Sequence, residues 1–133
     1  MHQRQVDALT KLYVGFHQMN DLLRGAIRGV KPQGEMDHFE KWQQKAEETR
    51  FEYIEHKIIL NEAIVARIEE LFENFWKVGI AIRIAPILRE GERRMEAAAK
   101  EIEAKEIADK LIPPLLVRIE SEARKVIRDE CSS

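Results

Sequence analysis

A heptad pattern near the start of the chain most constrains what it can fold into. Seven apolar residues and one asparagine occupy eight positions spaced alternately three and four residues apart: Val6, Leu9, Tyr13, Phe16, Asn20, Leu23, Ile27 and Val30. This spacing is typical of a helix that packs lengthwise against other helices. A neighbouring apolar row widens the stripe to the face of a globular core, and consists of Leu12, Met19 and Ala26. The pattern predicts a first helix from about His2 to Val30.

Asn20 is the only polar residue of this seam, so its amide is expected to be buried. A buried amide needs a hydrogen-bond partner, and such residues often fix register or oligomeric state in helical assemblies. If a second helix runs back antiparallel from a turn near Pro32, Asn20 lies level with residues 43 to 46. Gln43 is therefore the predicted partner of Asn20.

The composition is that of a helical protein with a mixed-charge surface. Only 4 prolines and 6 glycines interrupt the 133 residues, a length typical of one domain. We therefore expect a single helical-bundle domain over residues 1–133. The 22 basic and 24 acidic residues give a net charge of −2, whereas nucleic-acid binding normally needs a large basic excess. No nucleic-acid partner is expected.

A second helix is predicted to begin near residue 35 or 36, after the turn. Its inward face is predicted to consist of Phe39, Trp42, Ala46, Thr49, Tyr53, His56 and Leu60. An alternative inward face, rotated by one position, uses the neighbouring apolar stripe of Phe51, Ile54 and Ile58.

Asn61 decides between two architectures. It follows an apolar run and precedes Glu62, an order typical of an N-cap that opens a third helix. Because asparagine is also tolerated within helices, residues 35–88 would otherwise form one continuous rod and an elongated coiled coil. We expect the break at Asn61, which gives four helices of similar length.

The third segment repeats the heptad spacing with a seam of Ile64, Ile68, Leu71, Phe75, Val78, Ile82 and Ala85. Gly79, beside this seam, is expected to let a helix or an aromatic ring approach closely. Pro86 is expected to kink or end the helix, and Gly91 to close the following turn. Further on, Pro113 and Pro114 remove two backbone donors, so the last helix is expected to be kinked or broken there. The predicted fold is all-α, an antiparallel up-and-down bundle of four long helices.

No signature of the common enzyme classes is present. The sequence has no nucleophile elbow, phosphate-binding glycine loop, zinc-type Cys/His spacing or nucleotide fingerprint. Its single cysteine, Cys131, has no partner for an internal disulfide, which favours a reducing, cytoplasmic location. The polar start of the chain does not resemble a signal peptide, and no apolar run approaches the ~20 residues that cross a bilayer. We expect a cytoplasmic protein that is not an enzyme and uses no cofactor.

A carboxylate-bridged metal site inside the bundle is the alternative that the sequence leaves open. Such sites combine Glu-x-x-His pairs with further glutamates that point inward. The chain has one such pair, Glu35 and His38, whereas Glu52 and His56 are one residue too far apart for the motif. Residues 38 and 56 would lie about 27 Å apart along one helix, too far to share an ion. His56, at an inward position, is expected to be a hydrogen-bonded core histidine, and it completes the predicted polar seam residues with Asn20 and Gln43.

Four segments of the chain are similar to parts of other sequences. They are residues 8–13, 56–62, 85–91 and 112–116, which read ALTKLY, HKIILNE, APILREG and IPPLL. In this order they resemble a diffuse set of uncharacterised bacterial helical proteins, some of which carry an amino-terminal membrane anchor. Those proteins commonly have proline where Asn61 stands, which favours the helix break. The resemblance implies a helical bundle and no particular activity, ligand or functional residue.

The regular seams favour a protein that acts by binding a protein partner or a second copy of itself. Apolar residues outside the seams are candidates for that surface if they cluster, and include Val14, Leu22 and Trp76. Because the later seams can cover the first one, we expect the partner surface to lie elsewhere than the first seam. A metal-binding bundle and a membrane-associated accessory domain are the alternatives, and nothing in the sequence supports membrane association.

Overall fold

The computed structural model describes residues 2–28 and 32–131. These residues form five α-helices and no strand, so the predicted all-α fold is confirmed. The helices are α1 (His2–Arg28), α2 (Pro32–His56), α3 (Glu62–Glu90), α4 (Arg94–Glu106) and α5 (Ile112–Cys131). The predicted turn at residues 29–31 and the side chain of Cys131 lie outside what the structure describes.

The buried face of α1 includes only alternate residues of the predicted heptad seam, namely Leu9, Phe16 and Leu23. Leu12, Met19 and Ala26 of the second row are buried, whereas Tyr13 and Asn20 of the seam are half-buried. The reason is that α1 contacts α2 on one side and α5 on the other. The centre of its core face therefore falls between the two rows, and the half-buried seam residue Tyr13 reaches α5, where its hydroxyl donates to Glu120.

Early residues of α1 contact late residues of α2 and the short turn, Lys57–Ile59, that follows it. The Gln5 side-chain amide donates to the backbone carbonyl of Ile59 at 2.9 Å, and Lys11 pairs with Glu52 at 3.1 Å. Gly15 faces Thr49, where an added Cβ would lie only 2.9 Å from two side-chain atoms. A glycine at this position allows the two helices to approach closely.

The break at Asn61 is confirmed. After α2, residues Lys57–Ile59 form one 3₁₀ turn, and Leu60 is extended with ψ of 147°. The Asn61 side-chain oxygen then accepts a hydrogen bond from the Ile64 backbone N–H at 2.9 Å. This bond satisfies one of the free donors at the start of α3, so the continuous-rod alternative is wrong.

At the end of α3, the residue with a left-handed backbone is Glu92 rather than Gly91. The helix continues past Pro86 to Glu90, so the proline does not end it. Gly91 has an ordinary φ of −83°, and the left-handed backbone lies at Glu92, with φ of 64°. The Glu92 and Arg93 backbone N–H groups donate to carbonyls of the last helical turn, a pattern that places a left-handed residue just past the helix end.

The last helical region contains a π-helical turn, Ile107–Leu111, directly before Pro113 and Pro114. The Ile112 N–H bonds to the Ile107 carbonyl, five residues back. The Ala108 carbonyl thereby loses its usual donor, and residue 113 is a proline without an N–H. The Arg24 guanidinium of α1 donates to that carbonyl at 3.0 Å. A hydrogen bond from another helix thus compensates for the backbone change that accompanies the prolines.

Within residues 2–28 and 32–131, the backbones of α2 and α3 approach each other less closely than those of the other neighbouring helices. The close backbone approaches are between α1 and α2, between α3 and the α4–α5 region, and between α1 and α5, whereas α2 and α3 have few. Among the described residues, no helix is both long enough and apolar enough to cross a membrane. The wide α2–α3 side is where the candidate site lies.

Replacing Glu92 by glycine is expected to stabilise the fold by about 0.5–1 kcal/mol, because glycine adopts a left-handed backbone without side-chain strain. Gly91→Ala is the matched variant, and no loss of stability is expected there because an added Cβ would lie 3.7 Å from its nearest neighbours. Urea unfolding measures both. If Gly91→Ala lowered the free energy of unfolding and Glu92→Gly did not raise it, the left-handed residue would be at position 91 instead.

Candidate functional site

A cleft of about 780 Å³ lies between α2 and α3. Its walls and floor are mostly apolar or aromatic, and come from Met19, Phe39, Trp42, Ala46, Phe72, Phe75, Trp76, Gly79 and Ile80. Charged residues form its rim, namely Glu47, Arg50, Glu69, Glu70, Glu73 and Arg83. A mostly apolar concavity with polar groups at its edge is the usual form of a binding site.

The indole of Trp42 lies against the backbone of Gly79 and forms the cleft floor. A Cβ at position 79 would lie 2.6 Å from the ring, which no real contact tolerates. The close approach predicted at Gly79 is therefore confirmed, and the approaching group is an aromatic ring. Trp42 is 5% exposed, and its ring N–H is buried without a hydrogen-bond partner among the side chains that the structure describes.

Phe72 joins the cleft to the core of the bundle. Its ring makes an edge-on contact with Phe16 of α1 at 5.6 Å and a tilted contact with Tyr53 of α2 at 5.5 Å. The Arg50 guanidinium lies 5.5 Å from the centre of the same ring. Such aromatic and cation–π contacts stabilise specific ring geometries, so this wall of the cleft is supported from three directions.

A hydrogen-bonded pair, Tyr53 and Glu69, links α2 to α3 at one end of the cleft. The Tyr53 hydroxyl donates to the Glu69 carboxylate at 2.8 Å, and the Lys57 ammonium donates to the same oxygen at 3.1 Å. Burial, followed by the bond to Glu69, raises the pKa of Tyr53. The Tyr53 bond lowers the pKa of Glu69. Glu69 is therefore a hydrogen-bonded carboxylate and a poor proton acceptor at neutral pH.

Trp76 and Ile80 are the most accessible apolar residues of the cleft. Trp76 is 68% exposed and Ile80 is 37% exposed, one helical turn apart on α3. Of the other apolar residues singled out from the sequence, Leu22 packs against the core. Val14 is exposed in a separate shallow depression beside Lys45. The clustering that a partner surface requires is found at Trp76.

The structure brings together part of the predicted metal set. Ligand atoms of Glu52, Glu55 and His56 all lie within 4.8 Å of one another. Two of these groups already have partners, because Lys11 pairs with Glu52 at 3.1 Å and His56 Nδ1 lies 2.9 Å from the Glu52 carbonyl. His56 is therefore hydrogen-bonded as expected, but it is half-buried at the end of α2 rather than in the core.

The other half of the predicted metal set does not join this cluster. The side chains of Glu35 and His38 lie outside what the structure describes. Their backbone belongs to α2, which runs without interruption to His56. Position 38 is thus about 27 Å from position 56 along the helix, and the two sets stay separate within one chain.

The predicted bond between Asn20 and Gln43 is wrong. Among the described residues, nothing donates a hydrogen bond to the buried Asn20 side-chain oxygen, and Gln43 is exposed at the cleft. On α1, Asn20 shares a side with Tyr13 and Arg24, whose side chains bond to Glu120 and to Asp109. Asn20 is therefore directed toward the α4–α5 region, because residues four and seven apart share one helix face.

Sequence reasoning missed the rim residues Glu73, Ile80 and Arg83. With Trp76 they form an outward stripe spaced three, four and three residues apart. The stripe has two apolar residues at its centre and a charged residue at each end, so it is a weaker apolar pattern than the inward seam of the same helix. A search for a second heptad phase in the third helix would have found it.

Replacing Gly79 by alanine is expected to destabilise the protein by about 1–3 kcal/mol, because the added methyl collides with the Trp42 ring. The loss is expected to be largely relieved when Trp42 is also replaced by leucine, and chemical unfolding of the four proteins of this double-mutant cycle measures the coupling. Gly91→Ala serves as the control for a glycine with open space. Purely additive effects at 42 and 79 would contradict the contact.

Replacing Tyr53 by phenylalanine is expected to cost about 1 kcal/mol at pH 7, the typical value of a hydrogen bond. Because the pKa of Glu69 is lowered in the folded protein, ionised Glu69 adds to the free energy of unfolding above the ordinary pKa of a glutamate. This stabilisation is lost as the pH falls through the lowered value. The raised pKa of Tyr53 means that its contribution is complete below pH 10 and is lost as the pH rises beyond that. Unfolding free energies from pH 3 to 11 test this, and a wild-type–variant difference that does not change with pH would contradict it.

Comparison with known proteins finds no match to this chain. The search of protein-family models, of curated proteins and of solved structures gave no match. The resemblance to uncharacterised bacterial helical proteins stays a prediction. The function of the cleft is therefore argued from its own chemistry.

Proposed function

We propose that this chain is a non-enzymatic helical-bundle protein that uses the α2–α3 cleft to bind an α-helix. The helix belongs to a protein partner or to a second copy of the chain. The observation that carries this proposal is the 68% exposure of Trp76 at the edge of an aromatic-lined cleft. A tryptophan left in water forgoes the large stabilisation that burial of an aromatic side chain provides. Tryptophan is also among the residues most enriched where protein interfaces concentrate their binding energy.

The shape of the cleft supports a helix as the bound element. Its α3 wall extends from Ala66 to Arg83, a rise of about 26 Å at 1.5 Å per residue. An amphipathic helix binds such grooves with apolar residues three, four and seven positions apart. The apolar floor accepts those side chains, and the charged rim selects their flanking residues.

The chemistry of the rim supports a binding role rather than catalysis. The hydrogen bond from Tyr53 lowers the pKa of Glu69 at the cleft rim, and so favours its ionised form. A general base needs a pKa closer to neutral.

A cytoplasmic location, expected from the single cysteine, belongs to the same proposal. The metal-binding and membrane-associated alternatives stay predictions.

Site-specific photocrosslinking tests the proposal. A benzophenone side chain in place of Trp76, in the protein expressed in its native host, is expected to form covalent adducts with protein, since the cleft edge lies within the bound interface. The same side chain in place of Met95, which is 88% exposed on α4, is the control for an accessible apolar position. Equal labelling at both positions, or no protein adduct at position 76, would contradict the proposal.

A further inference from the structure

The outer side of α3 carries a second heptad stripe, distinct from its buried seam. Its positions alternate three and four residues apart, and all are exposed or half-buried: Ala66, Glu69, Glu73, Trp76, Ile80, Arg83, Ile87 and Glu90. Buried residues of the same helix, such as Phe75 and Val78, face the core. A helix with two such stripes can pack against its own bundle and against one further helix at the same time.

The order of residues along the centre of this stripe is complementary to itself. Reading along α3, Glu73 precedes Trp76, and Ile80 precedes Arg83. When two copies of the stripe pair antiparallel about Val78, Trp76 of each lies opposite Ile80 of the other, and Glu73 lies opposite Arg83. Parallel pairing would instead place Glu73 opposite Glu73 and Arg83 opposite Arg83, which is unfavourable. The charge order therefore selects an antiparallel second copy.

We propose that the partner of the cleft is a second copy of this chain, whose α3 lies antiparallel along the first α3 and over the cleft. This inference rests on the proposed function and names its partner. The arrangement has two-fold symmetry, so each favourable contact occurs twice. Trp76 of each copy enters the cleft of the other, whose floor is formed by Trp42 and Phe39.

The charged residues at the centre are accessible for this pairing. The carboxylate of Glu73 has an exposed ion pair with Lys77, at 3.6 Å, and such screened surface pairs contribute little. Arg83 lies exposed on the cleft rim. Glu73 and Arg83 are ten positions apart, about 15 Å along the helix, so the two symmetric ion pairs flank the Trp76–Ile80 contacts.

The ends of the stripe limit the strength of the dimer. In the same register Glu69 lies opposite Ile87, and Ala66 lies opposite Glu90, and neither pairing is attractive. The complementary region is therefore the central 15 Å of one helix pair, and a contact of that length buries less area than a standard stable interface. A monomer–dimer equilibrium that depends on concentration is expected, rather than a permanent dimer.

Sedimentation velocity of the purified chain over about 1 µM to 1 mM tests the dimer. Trp76→Ala is expected to raise the dissociation constant at least ~10-fold, as truncation of a central interface tryptophan does. Met95→Ala, at an exposed apolar position on another helix, is expected to leave it unchanged. A monomer at every concentration, or a dimer that Trp76→Ala does not weaken, would overturn the proposal.

A charge exchange tests the antiparallel register without removing any apolar residue. Glu73→Arg and Arg83→Glu are each expected to weaken the dimer, because each places like charges opposite each other twice. The double variant restores both pairs with their signs exchanged, and is expected to recover most of the affinity. Absence of recovery in a folded double variant, checked by circular dichroism, would overturn the register.

Sedimentation and photocrosslinking together distinguish a failure of the dimer from a failure of the proposed function. A chain that stays monomeric but forms protein adducts from position 76 would leave the cleft as a binding site and exclude the second copy as its partner. A monomer without such adducts would remove both proposals. A dimer weakened by Trp76→Ala and recovered by the charge exchange would support both.

Discussion

The contact between the Trp42 indole and the Gly79 backbone determines how α2 and α3 are placed relative to each other. No other residue type at position 79 leaves room for the ring, since an added Cβ would lie 2.6 Å from it. The Trp42 indole lies between α2 and α3, so it keeps the two backbones apart and fills the inner part of the gap between them. The ring does not fill the outer part of this gap. That part is the cleft, where Trp76 and Ile80 stay accessible.

The contacts between the other described helices differ from those on the α2–α3 side. Between α1 and α2, Gly15 lies against Thr49, so two small residues allow a close approach. Between α1 and the α4–α5 region, Arg24 reaches a backbone carbonyl of the π-helical turn. These contacts join the bundle on its other sides. The α2–α3 side is joined by aromatic rings and by the Tyr53–Glu69 hydrogen bond at one end.

Heptad spacing and local chemistry predicted the features that depend on a single helix. The core seam of α3, the cap at Asn61 and the close approach at Gly79 all follow from which residue types stand at which positions. The partner of Asn20 did not follow, because a heptad shows that a residue faces inward and does not show which neighbouring helix it meets. Glu92 was missed for a related reason, since glycine is the usual left-handed residue and Gly91 stands one position too early.

The cleft itself was only partly predictable. Trp76 was a candidate as an apolar residue outside the seams, but its clustering with Ile80 depends on the α2–α3 separation, which no local pattern encodes. The π-helical turn before Pro113 was equally hidden, because the two prolines permit a kink, a break or a widened turn. In each case the outcome is decided by packing between helices that are distant in sequence.

An isotope-filtered NOE experiment on a mixture of labelled and unlabelled chains tests whether Trp76 of one copy lies against Ile80 of another. It detects only contacts between different molecules, so the neighbouring positions of Trp76 and Ile80 within one helix do not contribute. Intermolecular NOEs are expected between the Trp76 ring and the Ile80 methyl groups at concentrations where the chain associates. Intermolecular NOEs confined to another apolar surface, such as Phe51 and Ile54 of α2, would contradict this contact.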